Sequence, residues 1–293
     1  MDLALTVLTI VAPVFLLAAV GFAWVKSGFD YRVEFVTRLS MTLSVPCLIF
    51  VALMRTEVEP SALATISVAS AVAYLLLTAA FWAVLRLTGI DRRTYLAPLI
   101  FGNTGNIGLP LALFAFGDTG LGLAVVVFAV MGVMSFTFGI WLVTGGGSPL
   151  RVLKEPLVGA TLLGALFLWQ GWHTPLWLTN TLELAGQMAI PLMLITLGVA
   201  VARLHPRGLV TALWLSLFKV FLTTLVAWGV GRWFGLDGVH LAVLVLQVAT
   251  PVAVTSYLIA EKYEADAESV AGLVVVSTLV AVVSLPLTLA VLL

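Results

Sequence analysis

Residues 102–110 read Gly-Asn-Thr-Gly-Asn-Ile-Gly-Leu-Pro and lie between the apolar runs 95–101 and 111–116. Their amide side chains can donate hydrogen bonds to an anion or offer oxygen to a cation, so Asn103 and Asn106 are candidate ligands. Glycine loosens a helix, proline removes a donor, and asparagine competes with the backbone for hydrogen bonds. The residues predicted to break the helix here are Gly102, Gly105, Gly108 and Pro110.

A second set of polar residues lies late in the chain, where Gln247 and Thr250 precede Pro251, and Lys219 stands in the apolar run 217–221. At about 1.5 Å of rise per residue, Asn103 is roughly 14 Å into its apolar segment. Thr250 and Lys219 are each roughly 17 Å into theirs. In a hydrocarbon core about 30 Å thick, all three are predicted to reach the middle of the membrane.

Each candidate keeps an alternative role. Asn103 and Asn106 either contact a ligand or cap backbone groups freed by the break. A mid-span lysine is costly, so Lys219 should pair with an anion, balance exposed carbonyl groups or act as a structural tether. Gln247 and Thr250 fit a substrate site, a sodium site or contacts between helices. Pro110 and Pro251 either end helix segments, leaving a helix amino end that favours a carboxylate, or only kink them.

The composition is that of a polytopic membrane protein: 62% of the residues are hydrophobic and 10% charged, and mean hydropathy is +1.17. Soluble domains carry about 25% charged residues. The net charge of zero argues against electrostatic nucleic-acid binding. One cysteine and three scattered histidines give no structural metal site.

Ten apolar segments are long enough to predict ten transmembrane helices. The first is expected to be a retained span, because no basic region or cleavage site marks a signal peptide. The predicted spans are 3–25, 34–54, 61–88, 94–117, 120–143, 154–171, 180–202, 208–233, 239–260 and 267–291. No Asp or Glu lies at mid-span, which disfavours an antiporter that works through buried carboxylates.

Basic residues predict the orientation of these spans. With both termini on the outer, periplasmic side of a cell inner membrane, eleven Lys and Arg residues lie in cytoplasmic loops and only Arg55 and Arg232 lie outside. This bias follows the positive-inside rule.

Prolines recur between the two halves of the chain. Pro13, Pro46 and Pro110 are followed by Pro156, Pro191 and Pro251, at offsets of 143, 145 and 141 residues. Because each half has five spans, the second half must enter the membrane from the opposite side. The sequence therefore predicts two inverted five-helix repeats, 1–144 and 154–293, joined by a short cytoplasmic linker, 145–153. Such repeats are typical of secondary transporters, whose sites lie at interrupted helices.

The run from Asn103 to Pro110 and the proline break at Thr250–Pro251 resemble the auxin efflux carrier family, within the superfamily of bile acid:sodium symporters. The resemblance implies a scaffold of spans 1, 2, 6 and 7, and broken spans 4 and 9 that cross at the midplane. It also implies transport of organic anions and a homodimer. Plant members often have a long hydrophilic loop between their halves, whereas this chain has a short linker, as in prokaryotic members.

The predicted protein is therefore an all-α secondary transporter of small organic anions, expected to be carboxylates, that works by alternating access. It needs no cofactor, although Na⁺ or H⁺ remains a possible coupling ion. The alternatives are a sodium-coupled symporter of the bile-acid type, a ligand sensor without transport and, with least support, a membrane enzyme. An enzyme has the least support because the sequence shows no pair of a nucleophile and a base.

Overall fold

The computed structural model describes residues 3–139, 141–142 and 156–293, and the predicted linker 145–153 lies outside them. Every regular element of the described residues is helical. The helices are Leu3–Lys26, Val33–Leu39, Val45–Arg55, Pro60–Thr88, Arg92–Ile100, Leu109–Met134, Pro156–Gln170, Leu176–Gln187, Ala189–Arg203, Leu209–Trp233, Gly238–Val248, Val254–Lys262 and Ala267–Leu292. Wider π-helical turns occupy Ser40–Ser44, Thr104–Gly108 and Ser135–Gly139.

Seven helical stretches in this described part are long and apolar enough to cross a membrane. They are Leu3–Lys26, Val33–Arg55, Pro60–Thr88, Thr104–Gly139, Leu176–Arg203, Leu209–Trp233 and Ala267–Leu292. The helix Pro156–Gln170 covers most of predicted span 6 but has only 15 residues. Predicted spans 4 and 9 are each interrupted, and only Arg92–Ile100, Gly238–Val248 and Val254–Lys262 are short helices beside a break.

Predicted spans 4 and 5 are joined in the helix Leu109–Met134, and only Gly117 has non-helical dihedral angles there. Its φ of 62° and ψ of −153° are accessible to glycine and disfavoured for residues with a Cβ atom. Gly117 therefore marks the corner between the two predicted spans.

The helices pack as two groups. The flanking group contains Leu3–Lys26, Val33–Arg55, Pro156–Gln170 and Leu176–Arg203. The crossing group contains Pro60–Thr88, Arg92–Ile100, Leu109–Met134, Leu209–Trp233, Gly238–Val248, Val254–Lys262 and Ala267–Leu292.

Close backbone contact joins two helices of the flanking group, Leu3–Lys26 and Ala189–Arg203. A Cβ atom on Gly21 would overlap the carbonyl group of Ile195, and one on Gly198 would overlap that of Ala18. Small residues let helices approach this closely, which gives dispersion contacts without any gain from expelling water. The crossing group instead packs around large buried side chains such as Tyr74, Phe81 and Ile100.

Candidate functional site

The two interrupted helices meet at their breaks. The first broken helix is Arg92–Ile100 followed by Leu109–Met134, and the second is Gly238–Val248 followed by Val254–Lys262. Gly102 and Val252 form an isolated antiparallel bridge, and the Asn103 amide donates to the Pro251 carbonyl at 2.7 Å. Irregular backbone buried in an apolar interior must find hydrogen-bond partners, and here each break supplies them to the other.

Glycine is required where the breaks approach each other. A Cβ atom on Gly102 would lie 3.0 Å from the Thr250 carbonyl oxygen and overlap the Thr250 hydroxyl. One on Gly108 would lie 2.8 Å from Cδ of Gln247. A methyl group on Gly102 would press against the Thr250 backbone, and one on Gly108 would displace the end of the buried Gln247 side chain, so both glycines favour the close approach of the broken helices.

Asn103 ends the first break and begins the next helical turn. Its Oδ1 accepts a hydrogen bond from the Asn106 amide at 3.3 Å, while its Nδ2 is buried and has no protein partner among the described residues. The π-helical turn Thr104–Gly108 follows, and Pro110 stands in the first turn of the next helix. Because the π-helical turn continues into this helix, Pro110 lies within one helical stretch that begins at Asn103, and there it removes one N–H donor.

A cavity of about 280 Å³ lies between the two helix groups and reaches the first break. Gly102, Asn103, Gly105 and Asn106 line one wall. Hydroxyl residues line other parts, namely Thr37, Ser40, Ser135, Thr196 and Thr255. The remaining lining is apolar, and no charged side chain is among the described residues of the lining.

Two helix amino ends lie at this cavity. Asn103 is the N-cap of the π-helical turn that continues into Leu109–Met134, and Asn103, Gly105 and Asn106 all line the cavity. Ala253 is the N-cap of Val254–Lys262, and it lines the cavity together with Val254 and Thr255. The first-turn N–H groups of a helix lack intrahelical partners and carry partial positive charge. The breaks therefore give a neutral cavity two favourable positions for an anion.

The charged amino group of Lys219 lies away from the cavity. The residue is 1% exposed, does not line the cavity, and donates from Nζ to the Leu99 carbonyl at 2.8 Å. Leu99 lies in the last turn of Arg92–Ile100, where carbonyl groups lack intrahelical partners and a cation is favourable. Of the three roles that the sequence left open, this contact corresponds to the balancing of an exposed carbonyl.

Gln247 and Thr250 lie just before Pro251, at the start of the second break. Both are fully buried, and neither lines the cavity. The Thr250 hydroxyl donates to the Gln247 carbonyl at 2.7 Å, while both polar atoms of the Gln247 carboxamide lack a protein partner in the described structure. Pro251 stands in the extended stretch between the half-helices, and its carbonyl accepts from Asn103. The predicted ligands thus divide into Asn103 and Asn106 on the cavity and three residues inside the crossing group.

Several polar residues at the site were missed by the sequence reasoning. Ser40 is 2% exposed, lines the cavity, and its hydroxyl has no protein partner in the described part of the chain. The one local sequence feature that could have indicated Ser40 was Pro46. The π-helical turn Ser40–Ser44 directly precedes the helix that carries this proline in its first turn. Ser277 accepts the Val252 amide at 3.1 Å, but nothing in its surrounding sequence marks it.

A wider opening adjoins the cavity. It has a volume of about 1280 Å³ and shares Thr37, Ala200 and Val254 with the cavity lining. Its charged residues are Arg32, Glu34, Arg38 and Arg203. Tyr31 joins the two spaces, because it lines the opening while its hydroxyl group lies 2.7 Å from that of Thr196 in the cavity wall. The polar wall at the break is therefore approached from an end of the molecule with excess positive charge.

A paired helix break beside a cavity, in a fold of long apolar helices, is typical of a membrane transporter. The chain belongs to the membrane transport protein family, the family of the auxin efflux carriers, which it matches over residues 6–152 and 145–289. It is therefore a multi-pass membrane transport protein and not an enzyme.

Two archaeal proteins are similar over much of their length. An uncharacterized transporter of Methanothermobacter thermautotrophicus is 27% identical, over 85% of this chain and 86% of its own. An uncharacterized transporter of Methanocaldococcus jannaschii is 25% identical, over 61% of each chain. Both carry the description of a transporter without a substrate.

Proposed function

We propose that this protein is a secondary transporter of small organic anions, carboxylates in particular, and that the substrate binds in the cavity beside the paired breaks. The observation that carries the proposal is the direction of the half-helices. Two amino ends lie at the cavity, while a carboxyl end of the first broken helix is directed at Lys219. Helix amino ends and an unpaired amide donor, Nδ2 of Asn103, suit a carboxylate.

The cavity lining also limits the substrate. Phe101, Phe128, Met131 and Met193 surround the polar wall, so the rest of the ligand meets apolar surface. A charge without a partner is costly in such surroundings. We therefore expect carboxylates that carry an apolar body to bind better than fully hydrophilic carboxylates of similar size.

Alternating access is the proposed mechanism. The cavity adjoins the opening with Arg32, Arg38 and Arg203, which the positive-inside rule assigns to the cytoplasm, with both termini outside. At the other end, an ion pair between Arg55 and Glu183 stands beside a smaller space of about 240 Å³. Movement of the crossing group against the flanking group, the proposed scaffold, would carry the site from one side to the other.

The proposed architecture is ten spans in two inverted five-helix repeats, with the broken helices 4 and 9 crossing at the midplane. The interruption of both predicted spans and the pairing of their breaks support it. By the resemblance, the flanking group is also the proposed face of a homodimer.

The proposed function is tested by thermal stabilisation of the purified protein with a panel of mono- and dicarboxylates, followed by counterflow in liposomes. A ligand at 100 times its dissociation constant stabilises by about 2.7 kcal/mol. We expect stabilisation by a carboxylate that is lost in Asn106→Ala and kept in Asn180→Ala, a matched change at an exposed asparagine that does not line the cavity. No stabilisation by any carboxylate would contradict the anion assignment, and binding without counterflow would favour a ligand sensor.

A sodium-coupled symporter is the second candidate, and one observation favours it. The Gln247 carboxamide and the Thr104 hydroxyl are buried near the breaks, and neither has a protein partner among the described residues. Oxygen atoms of this kind are the ligands that a hard cation prefers. Sodium-dependent stabilisation by the substrate that disappears in Gln247→Leu would establish this candidate, and equal stabilisation with and without sodium would exclude it.

A further inference from the structure

Two arginine side chains converge on one tryptophan at an end of the helix Pro60–Thr88. The guanidinium carbon of Arg86 lies 5.1 Å from the centre of the Trp82 ring, and that of Arg92 lies 5.8 Å from the same centre. Arg86 belongs to the same helix as Trp82, whereas Arg92 begins the first broken helix. The ring therefore holds together two like charges that would otherwise repel each other.

Neither arginine has an acidic partner among the residues that the structure describes. The ion pairs in the described part of the chain are Arg55–Glu183 and Arg207–Glu268. The carboxylate next to Arg92, that of Asp91, accepts the backbone amides of Arg93 and Thr94 as a helix cap. Two guanidinium groups that share one ring and lack a counter-charge form a site for an anion.

The helix surface behind this pair is apolar and exposed. Leu75, Ala79, Trp82 and Arg86 follow each other at spacings of four, three and four residues, so they lie on one face. All four are exposed, and the exposed fractions are 58% for Leu75 and 40% for Trp82. Tryptophan is enriched where a helix leaves the hydrocarbon core, so the arginines stand at the level of lipid headgroups.

We propose that Arg86, Arg92 and Trp82 bind the headgroup phosphate of an anionic phospholipid, with the acyl chains along Leu75 and Ala79. The apolar strip favours a phospholipid over free phosphate, since only the lipid uses both parts of the surface. Because Arg92 is the first residue of the half-helix that ends at Ile100, the lipid also binds to an element of the paired breaks. The site is independent of the transported substrate.

The test uses the detergent-purified full chain and native mass spectrometry, with phosphatidylglycerol and phosphatidylcholine as probes. We expect the double variant Arg86→Gln, Arg92→Gln to bind phosphatidylglycerol about 30-fold more weakly, or about 2 kcal/mol, since each basic contact at a membrane surface contributes about 1 kcal/mol. Phosphatidylcholine binding should not change. The matched control, Arg32→Gln with Arg38→Gln, removes the same charge at the opening and should bind phosphatidylglycerol like the wild type.

Three results would overturn the proposal: wild-type affinity in the Arg86, Arg92 variant, an equal loss in the control, or displacement of the lipid by millimolar inorganic phosphate. A second measurement tests the proposal even if the double variant folds poorly. Phosphatidylglycerol with brominated acyl chains should quench the fluorescence of Trp82, so quenching should be smaller in Trp82→Phe than in the wild type. Equal quenching in both proteins would also overturn the proposal.

Discussion

The polar atoms of Asn103 have different surroundings, which its sequence context does not distinguish. Its Oδ1 accepts the Asn106 amide, its backbone amide donates to Pro251, and its Nδ2 has no protein partner in the described structure. The capping oxygen supports the fold of the break, whereas the amide nitrogen is the group that we propose for ligand binding. Since these groups belong to one side chain, a substitution that keeps one and changes the other separates the roles.

Asn103→Asp keeps an oxygen that can cap and replaces the donor with a negative charge. We expect this variant to be less stable than the wild type, because a carboxylate without a partner is costly at this buried position, and to lose stabilisation by carboxylates, because like charges meet in the cavity. Asn103→Ala should lose ligand binding and, in addition, about 1 kcal/mol of stability from the missing cap. Melting temperatures with and without ligand measure both effects. Carboxylate affinity near that of the wild type in Asn103→Asp would remove Asn103 from the proposed site.

Lys219 is the buried charge nearest to the first break, and its partner is a backbone carbonyl. Lys219→Met keeps most of the side-chain volume but leaves the Leu99 carbonyl without its partner. We expect the free energy of unfolding to fall by about 1–3 kcal/mol, with anion affinity changed by less than about twofold. The exposed control, Lys26→Met, should change neither quantity. A tenfold loss of affinity in a stable Lys219→Met protein would mean that the lysine reaches the substrate.

At the scale of elements, the two breaks are one structural unit. The Asn103 amide needs the Pro251 carbonyl, and the Val252 amide needs the Ser277 hydroxyl. Each of these groups would be costly to bury alone. The breaks meet at one point because the Pro251 carbonyl accepts the Asn103 backbone amide, Ser277 accepts the Val252 amide, and Gly102 and Gly108 allow the approach.

Gly102→Ala and Gly108→Ala should therefore force the broken helices apart. We expect each to lower the melting temperature and to abolish substrate-induced stabilisation, because the methyl group meets Thr250 or Gln247. The control is Gly229→Ala in the helix Leu209–Trp233, where a Cβ atom would meet nothing within 4 Å. That change should be neutral or slightly stabilising, since alanine is the better helix former. If all three variants behaved alike, close packing at the breaks would not matter for function.

At the scale of the molecule, the cavity lies between two helix groups with different packing. In the flanking group, Leu3–Lys26 and Ala189–Arg203 are joined by backbone contact at Gly21 and Gly198, whereas the crossing group contains bulky buried side chains. Each group is internally close-packed, and the cavity with its wide opening lies at their boundary. Apolar side chains of both groups also pack together across this boundary, so the relative movement proposed for alternating access would repack these contacts.

Access to the cavity from one side is measurable with Thr255→Cys in a Cys47→Ser background. Thr255 is exposed and lines the cavity at the start of Val254–Lys262. We expect a membrane-impermeant maleimide to react with it in inside-out vesicles, and bound substrate to slow the reaction. Asn180→Cys, an exposed position at the opposite end, should react in right-side-out vesicles instead. Faster labelling of Thr255→Cys from the outside would reverse the proposed orientation of the described conformation.

The sequence alone determined properties that depend on neighbouring residues. Apolar runs of sufficient length predicted the long helices closely, because a span must satisfy its own backbone and present an apolar surface to lipid. The interruptions near Asn103 and Pro251 were predicted for the same reason, since glycine, proline and asparagine act on their own helical turn. The family resemblance rested on the same two stretches, and membership of the family is confirmed.

Only the tertiary structure decided which group each polar atom meets. Lys219 and Leu99 are 120 residues apart, and Gly102 pairs with Val252 across a still longer separation. Ser40 and Ser277 look like ordinary helix residues in the sequence, yet one lines the cavity and the other binds the second break. Depth along a helix can be counted from sequence, but the side of the helix that meets the cavity is set by packing against distant helices. For that reason the sequence located the breaks, and the fold separated the residues on the cavity from those that support it.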